Sequence, residues 1–247
     1  MGAAREINWN LAPAHLSLSE AVVHVWRSPL HQPPTSLLAY QNSLSEDEQQ
    51  RAARFRRPLD RDRFIVARGT LRHCLGQYLE LAPEQLRFDT MAAGKPILAP
   101  DHHSHPLQFN LSHSGTWLLL AVTLQTPVGI DLEALRPIAE LTHLTRRFFS
   151  AREHQRIQSL PETEQLSAFF QHWTAREACL KATGEGLTKL QALELVASQP
   201  LVQVQRWDGQ DLQTWQVRSF VPVAGYWAAL AHRSTTPEIL FFDGKFV

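Results

Sequence analysis

The sequence predicts an α+β fold made of two pseudo-equivalent halves, and three observations carry that expectation. Strand-like and helix-like segments come in groups, without strict βαβ alternation. Gly115-Thr-Trp-Leu-Leu-Leu-Ala-Val resembles Gly225-Tyr-Trp-Ala-Ala-Leu-Ala, and the helix-like stretch holding Arg68 and ending at Gly76 resembles the one holding Arg176 and ending at Gly184. Such internal repetition indicates a duplicated unit, here divided near residue 125. The chain has 247 residues and 44% hydrophobic content, enough for one large core or two small ones.

The elements follow in order. Residues 21–26, Ala-Val-Val-His-Val-Trp, form a strand-like segment, and the three prolines within 29–34 read as a loop. Ser45 and Glu48 form a capping box that starts a helix. Phe64, Ala67, Leu71, Cys74, Leu75 and Tyr78 recur at helical spacing, so a second helix covers roughly 60–81. Segments 86–89 and 107–124 read as strands. In the second half, 128–133 is a strand, Arg146–Phe149 belongs in or beside a short helix, and Ser150 with Glu153 makes another capping box. A long helix then runs from about 164 to 183 and stops at Gly184, a common helix C-terminus. Strands are expected at 201–206, 213–220 and 225–232.

Composition narrows the functional classes. Basic and acidic residues balance at 24 each, so no global field directs the chain to nucleic acid. Cys74 and Cys179 both lie in helix-like stretches, as suits buried thiols in a reducing cytoplasm. The first residues lack an apolar signal core, and the longest apolar run, Trp117 to Val122, is too short to cross a bilayer. The expectation is a cytoplasmic protein with neither a nucleic-acid nor a membrane partner.

Chemistry concentrates in few places. Asp131 and Glu133 stand two apart on a strand and so project from one face. Paired carboxylates repel unless a cation lies between them, and oxygen-only ligands favour Mg²⁺, with Mn²⁺ as the alternative. A solvated strand end is the competing reading. Glu177 and Lys181 share a helix face with Trp173 and could be a surface ion pair, or a third acid and a phosphate-binding cation. Arg176 could join Lys181 in holding phosphate oxygens. Gly94-Lys95-Pro96 is a turn presenting a lysine, and Phe109 through Gly115 ends in small polar residues. The arginines between 51 and 72 read either as a solvated face or as an anion cradle. Zinc on His102, His103, His105 and His113 lacks ligand spacing, and Ser112-His113 lacks a nucleophile elbow.

Taken together, Gly94-Lys95-Pro96, Phe109-Asn110-Leu111-Ser112-His113-Ser114, Val128 through Glu133, Phe148-Phe149-Ser150 and Trp173 through Leu187 resemble, in order, the 4′-phosphopantetheinyl transferases of the Sfp type. The resemblance implies an intramolecular pseudodimer, each subdomain a small, largely antiparallel sheet with a long helix packed on it. Residues 1–125 would supply coenzyme A contacts, and residues 126–247 the metal site and catalytic helix. It implies Mg²⁺ on Asp131, Glu133 and Glu177. Glu177 and Lys181 would be catalytic, the lysine also meeting the pyrophosphate. Coenzyme A would be held by Arg68, Gly94, Lys95, Pro96, Asn110, Leu111, Ser112 and His113. Arg176 departs from the family's usual lysine. The implied reaction moves the phosphopantetheine arm from coenzyme A to a serine of an apo acyl or peptidyl carrier protein, releasing adenosine 3′,5′-bisphosphate. The carriers would serve fatty-acid, polyketide or nonribosomal-peptide synthesis, and the enzyme would act as a monomer. Arg136, Arg146 and Arg147 form a candidate carrier contact. The alternatives are a Mg²⁺-dependent phosphodiesterase or nuclease, and a non-catalytic coenzyme A-binding module.

Overall fold

A computed structural model describes residues 7–13, 15–91, 94–102, 106–184, 190, 193–197, 202–207, 212–233 and 237–247. Strands β1 (Asn10–Leu11) and β2 (Val22–Pro29) precede helices α1 (Pro34–Ser43), α2 (Glu46–Ala53) and α3 (Pro58–Leu79). A hairpin, β3 (Phe88–Thr90) and β4 (Pro96–Leu98), leads to β5 (Leu107–Ser114) and β6 (Trp117–Leu124). The second half holds β7 (Val128–Ala134), α4 (Leu141–Phe148), α5 (Ala151–Gln158) and α6 (Glu162–Thr183). It continues through β8 (Leu193–Ala197), β9 (Val202–Trp207), β10 (Leu212–Phe220), β11 (Tyr226–His232) and β12 (Glu238–Asp243). His103 and His105, and Glu185, Gly186 and Leu187 of the long motif, lie outside the described residues.

Two five-stranded sheets result, in the orders β1-β12-β2-β6-β5 and β7-β11-β10-β9-β8. The second is antiparallel throughout, while β12 runs parallel to both β1 and β2 in the first. This is the expected α+β pair of sheets, each carrying one long helix; the second sheet is antiparallel as expected, whereas in the first the β1–β12 and β12–β2 pairings are parallel and only β2–β6 and β6–β5 antiparallel. Trp26, Leu118, Leu120 and Val122 pack with Leu71, Cys74 and Leu75 of α3. Trp215, Val217, Ala229 and Ala231 pack with Ala175, Ala178 and Cys179 of α6. The intervening side chains, Val25, Leu119 and Ala121 with Ile130, Leu132 and Leu230, merge into one core on the opposite faces. Both cysteines are buried and free. Among the described residues no helix is long and apolar enough to cross a membrane.

Both capping boxes form as read, Ser45 with Glu48 and Ser150 with Glu153. Their glutamates also explain the repeat, with a correction to its register. Glu48 Oε2 accepts from Arg72 Nε at 2.6 Å, and Glu153 Oε2 accepts from Arg176 Nη2 at 2.5 Å. Eight residues beyond each arginine the helix ends in a left-handed residue, Glu80 (φ 53°) or Gly184 (φ 76°). Arg72, not Arg68, is therefore the counterpart of Arg176, and α3 runs past Gly76 to Leu79. A shift of four residues keeps the same helix face, so spacing alone does not distinguish the two registers.

Other departures have local causes. The 107–124 stretch is two strands, because Gly115 (φ 58°) turns the chain between them. Pro34 initiates α1 at its first position, where a missing N–H costs nothing, so the proline-rich loop is also a helix start. The strands β1, β4, β8 and β12 carry no signal of their own in the sequence; β12 is placed by pairing with a strand more than two hundred residues earlier.

Candidate active site

The site lies where β7 passes between β5 and α6. Gly129 sets the approach: a Cβ there would stand 1.9 Å from the Ala178 carbonyl oxygen, so only glycine lets strand and helix come this close. Alternation then points Asp131 and Glu133 to the same side as Gly129, toward α6. Asp131 is 4% exposed. From α6, Lys181 Nζ donates to Asp131 Oδ1 at 2.6 Å and to Ser112 Oγ at 2.9 Å. Glu177 sits one helical turn before Lys181, close enough to both β7 acids to feel their charge. Arg136 donates to Glu133 Oε2 at 2.9 Å.

Strand β5 reaches β7 through side chains. Asn110 Oδ1 accepts from Ile130 N at 2.8 Å, Ser112 Oγ from Leu132 N at 3.2 Å, and Ser114 Oγ from Ala134 N at 3.1 Å. Three residues on one face of β5 thus stand in for a backbone ladder and join the edges of the two sheets. Both hydroxyls also donate onward, Ser112 to Asp131 Oδ1 (3.0 Å) and Ser114 to Glu133 Oε2 (2.9 Å).

Burial pushes the Glu177 carboxyl up to about 7; the charge of Asp131 adds to this, Lys181 opposes it, and Glu133 adds further. Asp131 Oδ2 is buried without a hydrogen-bond partner. An orphaned carboxylate oxygen beside an acid destabilised by neighbouring acids is a set of donors suited to a divalent cation. Among the described residues no group of three His, Cys, Asp or Glu side chains already stands ready to hold a metal. Lys181 provides the positive charge beside Asp131.

The remaining predicted residues divide. Gly94 (φ 84°) makes the turn before Lys95. Lys95 Nζ reaches the junction and donates to the carbonyls of Val128 (3.3 Å) and Lys181 (2.7 Å); burial lowers its pKa to about 8. His113 is exposed on β5, yet desolvation by its surroundings first, then the charges of Lys181 and Arg63, hold it below its ordinary range. Leu111 packs on the first-half core, and Pro96 opens β4. Arg68 is not with the acids. It and Arg72 both bind Glu48, and it lies over the Phe88 ring.

Arg176 corrects an expectation. It is 0% exposed and bound to Glu153, so it does not present itself to a phosphate. Burial pushes the Glu153 carboxyl up, but His172, Arg176 and Ser150 outweigh that and hold it well below the usual range. The sequence signal for this role was present in the repeat, since Glu153 closes a capping box as Glu48 does. Sequence reasoning also missed Arg136 as a partner of Glu133, and the bridging role of Asn110, Ser112 and Ser114, whose alternation with Leu111 and His113 was the available clue.

Comparison with known proteins bears on this geometry. Residues 28–125 match the sequence model described as 4′-phosphopantetheinyl transferase, N-terminal, and residues 127–231 match that of the 4′-phosphopantetheinyl transferase superfamily. The chain is 42% identical over 223 residues to the 4′-phosphopantetheinyl transferase HetI of Nostoc sp., covering 90% of this chain and 92% of the relative. It is 30% identical over 151 residues to the 4′-phosphopantetheinyl transferase Sfp of Bacillus subtilis (60% and 64%). Identity to the L-aminoadipate-semialdehyde dehydrogenase-phosphopantetheinyl transferase of Rattus norvegicus is 32% over 174 residues (67% and 56%).

Proposed function

The chain belongs to the 4′-phosphopantetheinyl transferases, and from that premise we propose that it moves the 4′-phosphopantetheine arm of coenzyme A onto a serine of an apo acyl or peptidyl carrier protein. The products are the holo carrier and adenosine 3′,5′-bisphosphate, and the reaction depends on Mg²⁺, with Mn²⁺ able to substitute. The single observation that carries this reading is the meeting of Asp131, Glu177 and Lys181, with the Asp131 Oδ2 atom buried and unpartnered.

Asp131, Glu133 and Glu177 would hold the metal, whose chemistry is to neutralise pyrophosphate oxygens and so expose phosphorus to attack. Glu177 stands on the helix face beside Asp131 and takes the proton of the incoming serine, directly or through water. The serine oxygen forms a bond to the phosphorus that bears the pantetheine arm, and the bond from that phosphorus to the adenosine bisphosphate oxygen breaks. Lys181 stabilises the departing phosphate: an ammonium has three donors, and Asp131 and Ser112 take two. We assign coenzyme A contacts mainly to residues 1–125, through the Gly94–Pro96 turn with Lys95, Leu111, His113, and the backbone of Asn110 and Ser112. Arg68 and Arg72 share one glutamate, and the surplus positive charge there favours a nucleotide phosphate. The metal site and catalytic helix fall in 126–247. Both halves of the pseudodimer are in one chain, which supports a monomer, and two buried free thiols suit the cytoplasm. Arg146 and Arg147 are exposed on α4 and suit an acidic carrier helix.

The test is incubation with coenzyme A, Mg²⁺ and apo carriers of fatty-acid, polyketide and nonribosomal-peptide type, read by intact mass. The phosphopantetheine increment is expected on at least one carrier, lost on chelation and restored by Mg²⁺. Asp131→Ala and Glu177→Ala should abolish it while the protein stays folded. Unmodified carriers throughout, or coenzyme A hydrolysed without any acceptor, would refute the transferase reading.

A further inference from the structure

We propose that Ser112 is a positioning residue, orienting the Asp131 carboxylate so that one oxygen is held by the protein and the other is kept for the divalent cation. The inference rests on the metal reading above. A serine hydroxyl has one hydrogen to donate and two lone pairs that accept. At Ser112 both lone pairs are taken, by Leu132 N at 3.2 Å and by Lys181 Nζ at 2.9 Å. The hydrogen is left one direction, toward Asp131 Oδ1 at 3.0 Å. Ser112 is 6% exposed, so water does not compete freely for it. Oδ1 thereby receives two donors, Ser112 and Lys181, while Oδ2 receives none.

The arrangement repeats one step along the strands. Ser114 accepts from Ala134 N and donates to Glu133 Oε2. Asn110 serves as an internal comparison: it accepts from Ile130 N in the same ladder but bonds neither acid. Joining the sheet edges therefore requires only an acceptor at these positions. A hydroxyl does something more, since it accepts from the backbone and donates to the acid at once. First-half strand β5 thus aims the acids of second-half strand β7. Partners of this kind, behind the ligand itself, change metal affinity by about 10- to 100-fold when removed.

The experiment measures Mn²⁺ binding by electron paramagnetic resonance and coenzyme A binding by calorimetry without metal, for wild type, Ser112→Ala and Ser112→Thr, each first checked for a cooperative melt. Ser112→Ala is expected to weaken Mn²⁺ binding about 10-fold or more, with the metal-free coenzyme A titration separating that loss from any change in substrate binding. Ser112→Thr, which keeps the hydroxyl, is expected to stay within about threefold of wild type for both. Ser114→Ala, at a half-buried position, is the second variant should Ser112→Ala fail to fold, with loss of Mn²⁺ affinity again expected. Unchanged Mn²⁺ affinity in the alanine variants overturns the proposal. So does a threonine variant as weak as alanine, or a loss confined to coenzyme A. Absence of Mn²⁺ binding by wild type instead takes down the metal reading on which the proposal stands.

Discussion

Replacing Gly129 with alanine tests whether the closeness of β7 and α6 makes the site. The new Cβ would lie 1.9 Å from Ala178 O, 2.5 Å from Ala182 N and 3.0 Å from Ala178 C. All three are backbone atoms, so no side chain can rotate away. An ordinary contact needs about 3.5 Å, which requires strand and helix to separate by roughly 1.5 Å. Lys181 and Glu177 travel with α6. The 2.6 Å Lys181–Asp131 contact would open to about 4 Å, beyond hydrogen-bond range. Overpacking of this kind costs about 1–3 kcal/mol of stability, and a misplacement of about 1 Å costs about 100-fold in rate. The assay is holo-carrier formation by intact mass at saturating coenzyme A, alongside urea denaturation. A kcat/KM within about threefold of wild type, with an unchanged unfolding midpoint, would refute the reasoning, because the contact that places the acids would then be dispensable.

Arg176→Met leaves Glu153 buried with only His172 and Ser150 beside it, and should lower stability by about 3 kcal/mol in urea denaturation. Activity per folded molecule should stay within about threefold; a large rate loss at unchanged stability would instead make Arg176 a phosphate ligand. Glu177 supplies a pH signature in metal-free protein. Its folded pKa of about 7 lies above the ordinary 4.5, so the native state binds the extra proton between those values and stability falls as pH rises through that window. Glu177→Gln should therefore match wild type near the lower value and exceed it above the upper one. The difference should be roughly 1–2 kcal/mol after discounting for solvent screening, read as the gap between two urea titrations. A constant gap across pH would remove Glu177 from the acid cluster.

Most secondary structure was legible where a local signal repeats. The capping boxes at Ser45 and Ser150, the helical spacing from Phe64 to Tyr78, and the Asp131/Glu133 alternation all translate into the observed elements. Pairing was not legible. Nothing near Ile239 to Phe242 states that this strand lies between β1 and β2, and nothing near Arg68 states that Arg72, one turn on, is the counterpart of Arg176.

The sequence by itself determined the α+β class, the duplication, and the identity of three acids and a lysine that resemble one family's set. Those follow from spacing, which fixes the face of a strand or helix on which a side chain stands. The tertiary structure alone decided which side chains meet. It took Arg176 out of reach of substrate, because a buried guanidinium must find its carboxylate inside the protein. It made Asn110, Ser112 and Ser114 the link between the sheets, because two edge strands that share no backbone ladder still have N–H groups to satisfy. And it brought Lys181 to Asp131 through the absence of one methyl group at Gly129, a distance that no local pattern encodes.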